Sequence, residues 1–249
     1  MRITGERIVT PEGGFNASWQ RHTACYALTE RFLGSGLVLD LGCGTGHARG
    51  HIARPSFGLD IDHDSLALQD RPTVVADIRA VPFAAASFSS VLCVHAIEHV
   101  PDAERVLRET VRVLKPGGTA VFITPNRLTF GRPDEIIDPY HFVEYDAGQL
   151  ADLCGRFFGK VTPYGVFGSD RYMEFHRSER RQLDALLRLD PLRLRRLIPR
   201  RPRQILYDWK LTRARQGTEG GPASEFTLED FFLRSDGLED ALDVVAVCE

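Results

Sequence analysis

Five short runs along the chain are apolar or nearly so, and each is bounded by polar or turn-forming residues. Val38–Leu41, Phe57–Leu59, Thr73–Ala76, Val91–Val94 and Ala120–Thr124 are too short for helices and rich in β-branched residues, so they predict buried strands. Helical spacing lies between several of them. In "DAERVLRETVRVLK", Val106, Leu107, Val111 and Leu114 predict one apolar face, Asp102 its cap, Lys115 a charge suited to its negative end, and Pro116-Gly117-Gly118 its stop. A second helix is predicted from Asp146, whose carboxylate and Gln149 make a capping-box pattern ahead of Leu150, Leu153, Phe157 and Phe158. Short strands separated by helices predict an α/β fold, doubly wound around a mostly parallel sheet.

Composition narrows the class. The 249 residues suffice for one large α/β domain, read here as an N-terminal helical segment (1–34), a ligand-binding core (35–170), a helical insertion or lid (171–225) and a C-terminal strand region (226–249). With 26% charged and 43% hydrophobic residues and a net charge of -3, the chain reads as an ordinary soluble protein with no overall attraction to nucleic acid or an anionic membrane. No run is long and apolar enough to span a bilayer, and the start "MRITGERIVTPEGG" lacks the apolar core of a signal peptide, so a cytoplasmic location is expected. The five cysteines are odd in number and free of CxxC spacing, which predicts free, buried thiols.

The chemistry begins at "VLDLGCGTG", where the first strand meets Gly42, Gly44 and Gly46. Ligands bind at the carboxyl edge of such a sheet, and missing Cβ atoms would let one lie against the backbone. In "FGLDID", Asp60 ends the second strand eighteen residues after Gly42, where a carboxylate can accept both hydroxyls of a ribose. In "VVADIRAVPF", Asp77 ends the third strand and can accept an exocyclic amine, with Ile61 and Ile78 as apolar walls for a base. A nucleoside cofactor is indicated. The loop lacks the G-x-G-x-x-G order of a pyrophosphate site, and Asp40 beside it would repel phosphate while tolerating an ammonium and a sulfonium.

From about Gly36 to Asn126 the sequence resembles the class I S-adenosylmethionine-dependent methyltransferases. "VLDLGCGTG", "FGLDID", "ADIRAVPFAAASFSSVLCVHAIEHV" and "VLKPGGTAVFITPN" stand in that family's order and roughly its spacing, with Ser89 where the family usually has an acid. The resemblance implies a seven-stranded Rossmann-like sheet with a reversed last strand at "DVVAVC", and S-adenosylmethionine along its carboxyl edge near Asp40, Tyr26 and His95. The opening "ITGERIVTPEGGFNASWQRHTACYALTERFL", with His22 and Tyr26, and "TPNRLTFGRPDEIIDPYHFVEY", with Pro139, Tyr140, His141 and Glu144, are similar to a subgroup acting on sugars and polysaccharides; quinone and small-phenol methyltransferases share parts of both.

The expected function is therefore O-methylation of a sugar, glycan or glycosylated product, with a quinone or small metabolite as the alternative acceptor. A sugar hydroxyl does not ionise alone, so a general base is expected. His141 on the loop after the fifth strand is the first choice, with His99, His95 and Glu144 in reserve. "HAIEH" also satisfies the H-x-x-E-H spacing of a zinc peptidase, which would set His95 and His99 one helical turn apart with Glu98 as base. It follows a buried strand and has no evident third ligand, so no metal is expected. A zinc hydrolase and a catalytically silent S-adenosylmethionine-binding module remain as remote alternatives. Between Arg171 and Arg203 stand eleven arginines against four acids, while the chain from Gly217 has nine acids and one arginine. Either the two regions pair, or the arginines, Arg195 and Arg196 among them, form a basic lid for an anionic or lipid-linked acceptor on which Tyr172, Tyr207 and Trp209 stack.

Overall fold

A computed structural model describes residues 18–130, 135–188, 190, 198–199, 201–205 and 226–249. The TGER segment, Pro191, Arg195, Arg196, Tyr207 and Trp209 lie outside the described residues. The five predicted strands are present as β1 (Val38–Leu41), β2 (Ser56–Asp60), β3 (Thr73–Val75), β4 (Phe88–Val94) and β5 (Leu114–Pro125). They are followed by β6 (Val161–Gly168), β7 (Phe231–Arg234) and β8 (Asp243–Cys248). The helices are α1 (Ser18–Thr29), α2 (His63–Leu66), α3 (Ala103–Val113), α4 (Arg127–Phe130), α5 (Ala147–Gly155) and α6 (Asp170–Leu187). All five cysteines are free and buried.

The strands form one sheet in the order β3-β2-β1-β4-β5-β8-β6-β7. β1 through β5 pair in parallel, while β8, the "DVVAVC" strand, runs antiparallel to both β5 and β6. The expected reversed strand is thus present, and the short edge strand β7 adds an eighth to the seven expected. The chain winds outward from β1 to β3 and returns to β4 on the other side of β1. Crevices open at such a reversal, above the carboxyl ends of the strands.

Inward residues of the sheet, among them Leu39, Leu59, Val91, Phe122 and Val244, join Val106 and Leu107 of α3 and Leu150 and Cys154 of α5 in one core. Asp102 caps α3 by accepting from Arg105 N at 3.1 Å, and Asp146 with Gln149 completes the capping box of α5. Two details of α3 differ from expectation. Val111 is 41% exposed because the buried stripe runs through Thr110 and Val113 instead; Thr110 hides its hydroxyl by donating to the Val106 carbonyl at 2.9 Å. The helix also ends at Val113 rather than at Lys115. Leu114 already pairs with Phe88, and Lys115 to Gly118 bulge out of β5 before Thr119 meets Ser90.

The chain divides into two compact units. The described residues of 22–167 and 232–249 form one, which holds every site residue considered below; the other takes in the described residues of 168–231 and residues 18–21. In the second unit Tyr172 packs edge-on against Phe226 and Phe231, with ring centroids 4.9 and 4.6 Å away, so it is a core residue there. Arg171 reaches Asp230 at 3.2 Å, an instance of the internal pairing between the basic and acidic stretches. Among the described residues, no helix is long and apolar enough to cross a membrane.

Candidate functional site

The glycine loop and the turn after β4 meet at the strand reversal. Gly42, Gly44 and Gly46 all have positive φ, but their surroundings differ. A Cβ on Gly42 would lie 2.4 Å from the Ala96 Cβ, and one on Gly46 would collide with Gln69 at the same distance. A Cβ on Gly44 would meet no atom within 4 Å beyond its chain neighbours. The protein's own packing thus gives a reason for glycine at Gly42 and, through the end of the Gln69 side chain, at Gly46, whereas Gly44 leaves its side open. Gly42→Ala is therefore expected to destabilise the fold by about 2 kcal/mol or more. Gly44→Ala should cost stability only about 1 kcal/mol yet weaken nucleoside-cofactor binding more than tenfold, as thermal melts and calorimetric titration would read.

Beneath this loop Asp40 is wholly buried. Its carboxylate accepts the Tyr26 hydroxyl at 3.1 and 3.2 Å and lies 3.5 Å from Nε of Arg49, itself buried and bonded to Ser56 and Gln69. Asp40 and Tyr26 thus brace α1 against the loop. Burial pushes the Asp40 carboxyl up to about 7, against the opposing pull of Arg49 and Tyr26. A carboxyl that holds its proton more tightly when folded stabilises the fold at low pH and loses that contribution as pH rises. Relative to Asp40→Asn, the wild-type chain should lose stability from pH 3.8 to about 7 and run parallel to it above, as melting curves across that range would test.

The strand-end carboxylates behave differently. Asp60 ends β2, accepts the Gly44 N–H at 2.8 Å through Oδ2 and the Asp62 N–H at 2.9 Å through Oδ1, and so ties the open glycine to the next turn. Ile61 beside it is 71% exposed, an apolar side chain unusual in that position, whereas Ile78 is buried. Asp77 lies two residues past the end of β3. Arg79 grips it through Nε and Nη2, at 3.0 and 2.6 Å, and the bond to Arg79 holds its carboxyl below the usual range.

His95 follows β4 with φ of 49°, a conformation costly for a residue with a side chain. That bend delivers Ala96 to Gly42 and turns the His95 ring to Asp243 at the start of β8, with Nε2 2.8 Å from Oδ1. Cys25 donates to the other oxygen of Asp243 at 3.6 Å. His22, the other helix residue picked from sequence, packs among Tyr26, His47 and His95. Asp243, Arg49, Arg79 and Gln69 went unnoticed in the sequence, where nothing local marks them.

The bend also separates His95 from His99. Ile97–His99 form a single 3-10 turn, not part of a long helix, so the two histidines of "HAIEH" are not one helical turn apart. They enter different clusters: His95 lies with Cys25 and Asp243, and His99 with Glu98 and His141. The geometry that a zinc peptidase reading required is absent.

His141, Glu144 and His99 lie together. His141 is buried, its Nδ1 3.1 Å from Glu144, and its ring stands edge-on to His99 with centroids 5.0 Å apart. Burial opposes the charged imidazole, but the bond to Glu144 and the fields of Glu98, Asp138 and Glu144 outweigh it and raise the His141 pKa. Backbone bonds from Phe142 N and Val143 N to the Glu98 carbonyl, at 2.7 and 3.4 Å, hold this loop to the turn after β4.

Residues 39–122 match a family model described as a methyltransferase domain. Over 194 residues the chain is 33% identical to a protein of Mycolicibacterium smegmatis named as a probable S-adenosylmethionine-dependent methyltransferase, a match covering 74% of this chain and 72% of that one. It is 35% identical over 187 residues to a ubiquinone/menaquinone biosynthesis C-methyltransferase of Geobacter sulfurreducens, covering 67% and 68% of the two chains. In fold it is similar to an S-adenosylmethionine-dependent methyltransferase of Thermotoga maritima, with a TM-score of 0.61 at 16% identity over 91% of this chain and 88% of that one.

Proposed function

Because this chain belongs to the S-adenosylmethionine-dependent methyltransferases, we propose that it methylates a hydroxyl group of a sugar, a glycan or a glycosylated product. S-adenosylmethionine, when bound, supplies an activated methyl group on a sulfonium. Support for its seat comes from the open side of Gly44, the Asp60 carboxylate at the end of β2 and the exposed Ile61. Asp60 would take the ribose hydroxyls, Ile61 and Ile78 the faces of the base, and Asp77, shared with Arg79, its exocyclic amine. Asp40, Gly42 and Gly46 would act by shaping the loop, with Tyr26 bracing it through Asp40 and His95 held by Asp243.

The observation that carries the hydroxyl reading is the buried His141–Glu144 pair beside His99. A carboxylate can only accept, so Nδ1 of His141 carries the proton and Nε2 is the basic nitrogen. Such a group can take a proton from an acceptor O–H as the methyl is transferred, a contribution of about 100- to 10,000-fold. The remaining work of the chain is alignment and exclusion of water.

A quinone or other small apolar acceptor is the second reading. It is favoured by the half-exposed Phe142 and Val143 next to His141, and by the name of the Geobacter relative. Turnover on a panel of free sugars, glycosides and glycolipids against demethylated quinones separates the two. Methylation of a sugar hydroxyl supports the proposal, and exclusive methylation of the quinones replaces it.

A further inference from the structure

The most anomalous group in the described structure is Glu98. Its side chain is 1% exposed, and neither carboxylate oxygen has a hydrogen-bond partner. Burying such a group is costly unless a donor or a cation answers it. One ligand atom each from Glu98, His99 and His141 lies within 4.8 Å of the others. We propose that these three residues bind a divalent transition-metal ion.

The surroundings are arranged as metal ligands require. Nδ1 of His99 faces the Tyr140 carbonyl at 3.3 Å, and Nδ1 of His141 faces Glu144 at 3.1 Å. Both partners can only accept, so in each of these two bonds the imidazole donates from Nδ1. This is the outer-shell bonding that fixes metal-binding histidines. Glu144 and Asp138 add negative charge beside the cluster, the latter 4.0 Å from His141 Nε2. Backbone bonds from Phe142 and Val143 to Glu98 hold the two segments in register without the metal. Two imidazoles and one carboxylate suit Zn²⁺ or a similar ion over Mg²⁺ or Ca²⁺, which favour oxygen, and three protein ligands leave a position for an exchangeable oxygen.

The contrast with the neighbouring cluster is instructive. There both oxygens of Asp243 are already answered, one by His95 and one by Cys25. No orphaned group calls for an ion.

The role of the metal deepens the hydroxyl reading and rests on it. An acceptor O–H in the open position would be acidified by the ion and would release its proton to solvent before its oxygen takes the methyl group, with His141 serving as ligand rather than as the base. Binding itself is tested without activity. Protein stripped with EDTA is titrated with Zn²⁺ by calorimetry and with Co²⁺ by visible absorption. One equivalent should bind, and cobalt should show ligand-field bands without a thiolate charge-transfer band. Glu98→Gln and His99→Asn should each weaken binding at least about 100-fold, and Glu144→Gln, which spares all three ligands, about 10- to 100-fold. Absence of stoichiometric binding would overturn the proposal. So would a thiolate band that survives in Glu98→Gln and disappears in Cys25→Ser, because the ion would then sit at the other cluster. Calorimetry with S-adenosylhomocysteine on the same samples separates the two ideas: cofactor binding without metal binding removes only this one, and metal binding without cofactor binding removes the methyl-transfer reading.

Discussion

Replacing His141 by alanine is expected to lower turnover by about 100-fold or more while leaving S-adenosylmethionine affinity within about twofold. The residue sits on the loop after β5, fixed by Glu144 and packed against His99. The same loss follows whether its Nε2 takes the acceptor proton or holds an ion that acidifies the hydroxyl. Steady-state kinetics alongside calorimetry would check it. A parallel loss of cofactor binding and turnover would instead assign His141 a structural role.

The second large effect is expected at Asp60. Asp60→Ala should cost S-adenosylmethionine binding roughly 1 to 3 kcal/mol, through loss of a charged acceptor for the ribose hydroxyls. The structure adds a second reason, since the same carboxylate holds the Gly44 and Asp62 amides. Asp60→Asn keeps a carbonyl oxygen for one of those amides, so it should fall between wild type and Asp60→Ala. Unchanged affinity in both variants, or a preference for NAD over S-adenosylmethionine in wild type, would count against the assigned seat.

What could be read from sequence was what is local. Strands β1, β2, β4 and β5 announce themselves as apolar runs, and the caps at Asp102 and Asp146 need only the residues that follow within one turn. Asp60 was legible because its distance from the glycine loop is set by one strand-helix-strand unit. The end of α3 was not, because it is decided by the pairing of Leu114 with Phe88 on another strand. The packing at Gly42 and Gly46 was not legible for the same reason: Ala96 and Gln69, which occupy the space, are far along the chain. His95 looked like a partner of His99 by spacing, but one left-handed residue sent it to Asp243, 148 residues away along the chain. Glu98 could be named from "HAIEH", whereas its lack of any partner is visible only once the loop carrying His141 folds over it.

The central claim is methyl transfer to oxygen, and the most direct measurement is the chemical environment of the transferred carbon. The protein would be incubated with S-adenosylmethionine carrying a carbon-13 methyl group and with a fractionated extract of its source organism, and the products examined by carbon NMR. A new methoxy resonance, greatly reduced with His141→Ala, is the expected result. A resonance of methyl on carbon or on nitrogen, or a methoxy signal undiminished in the His141 variant, would contradict it.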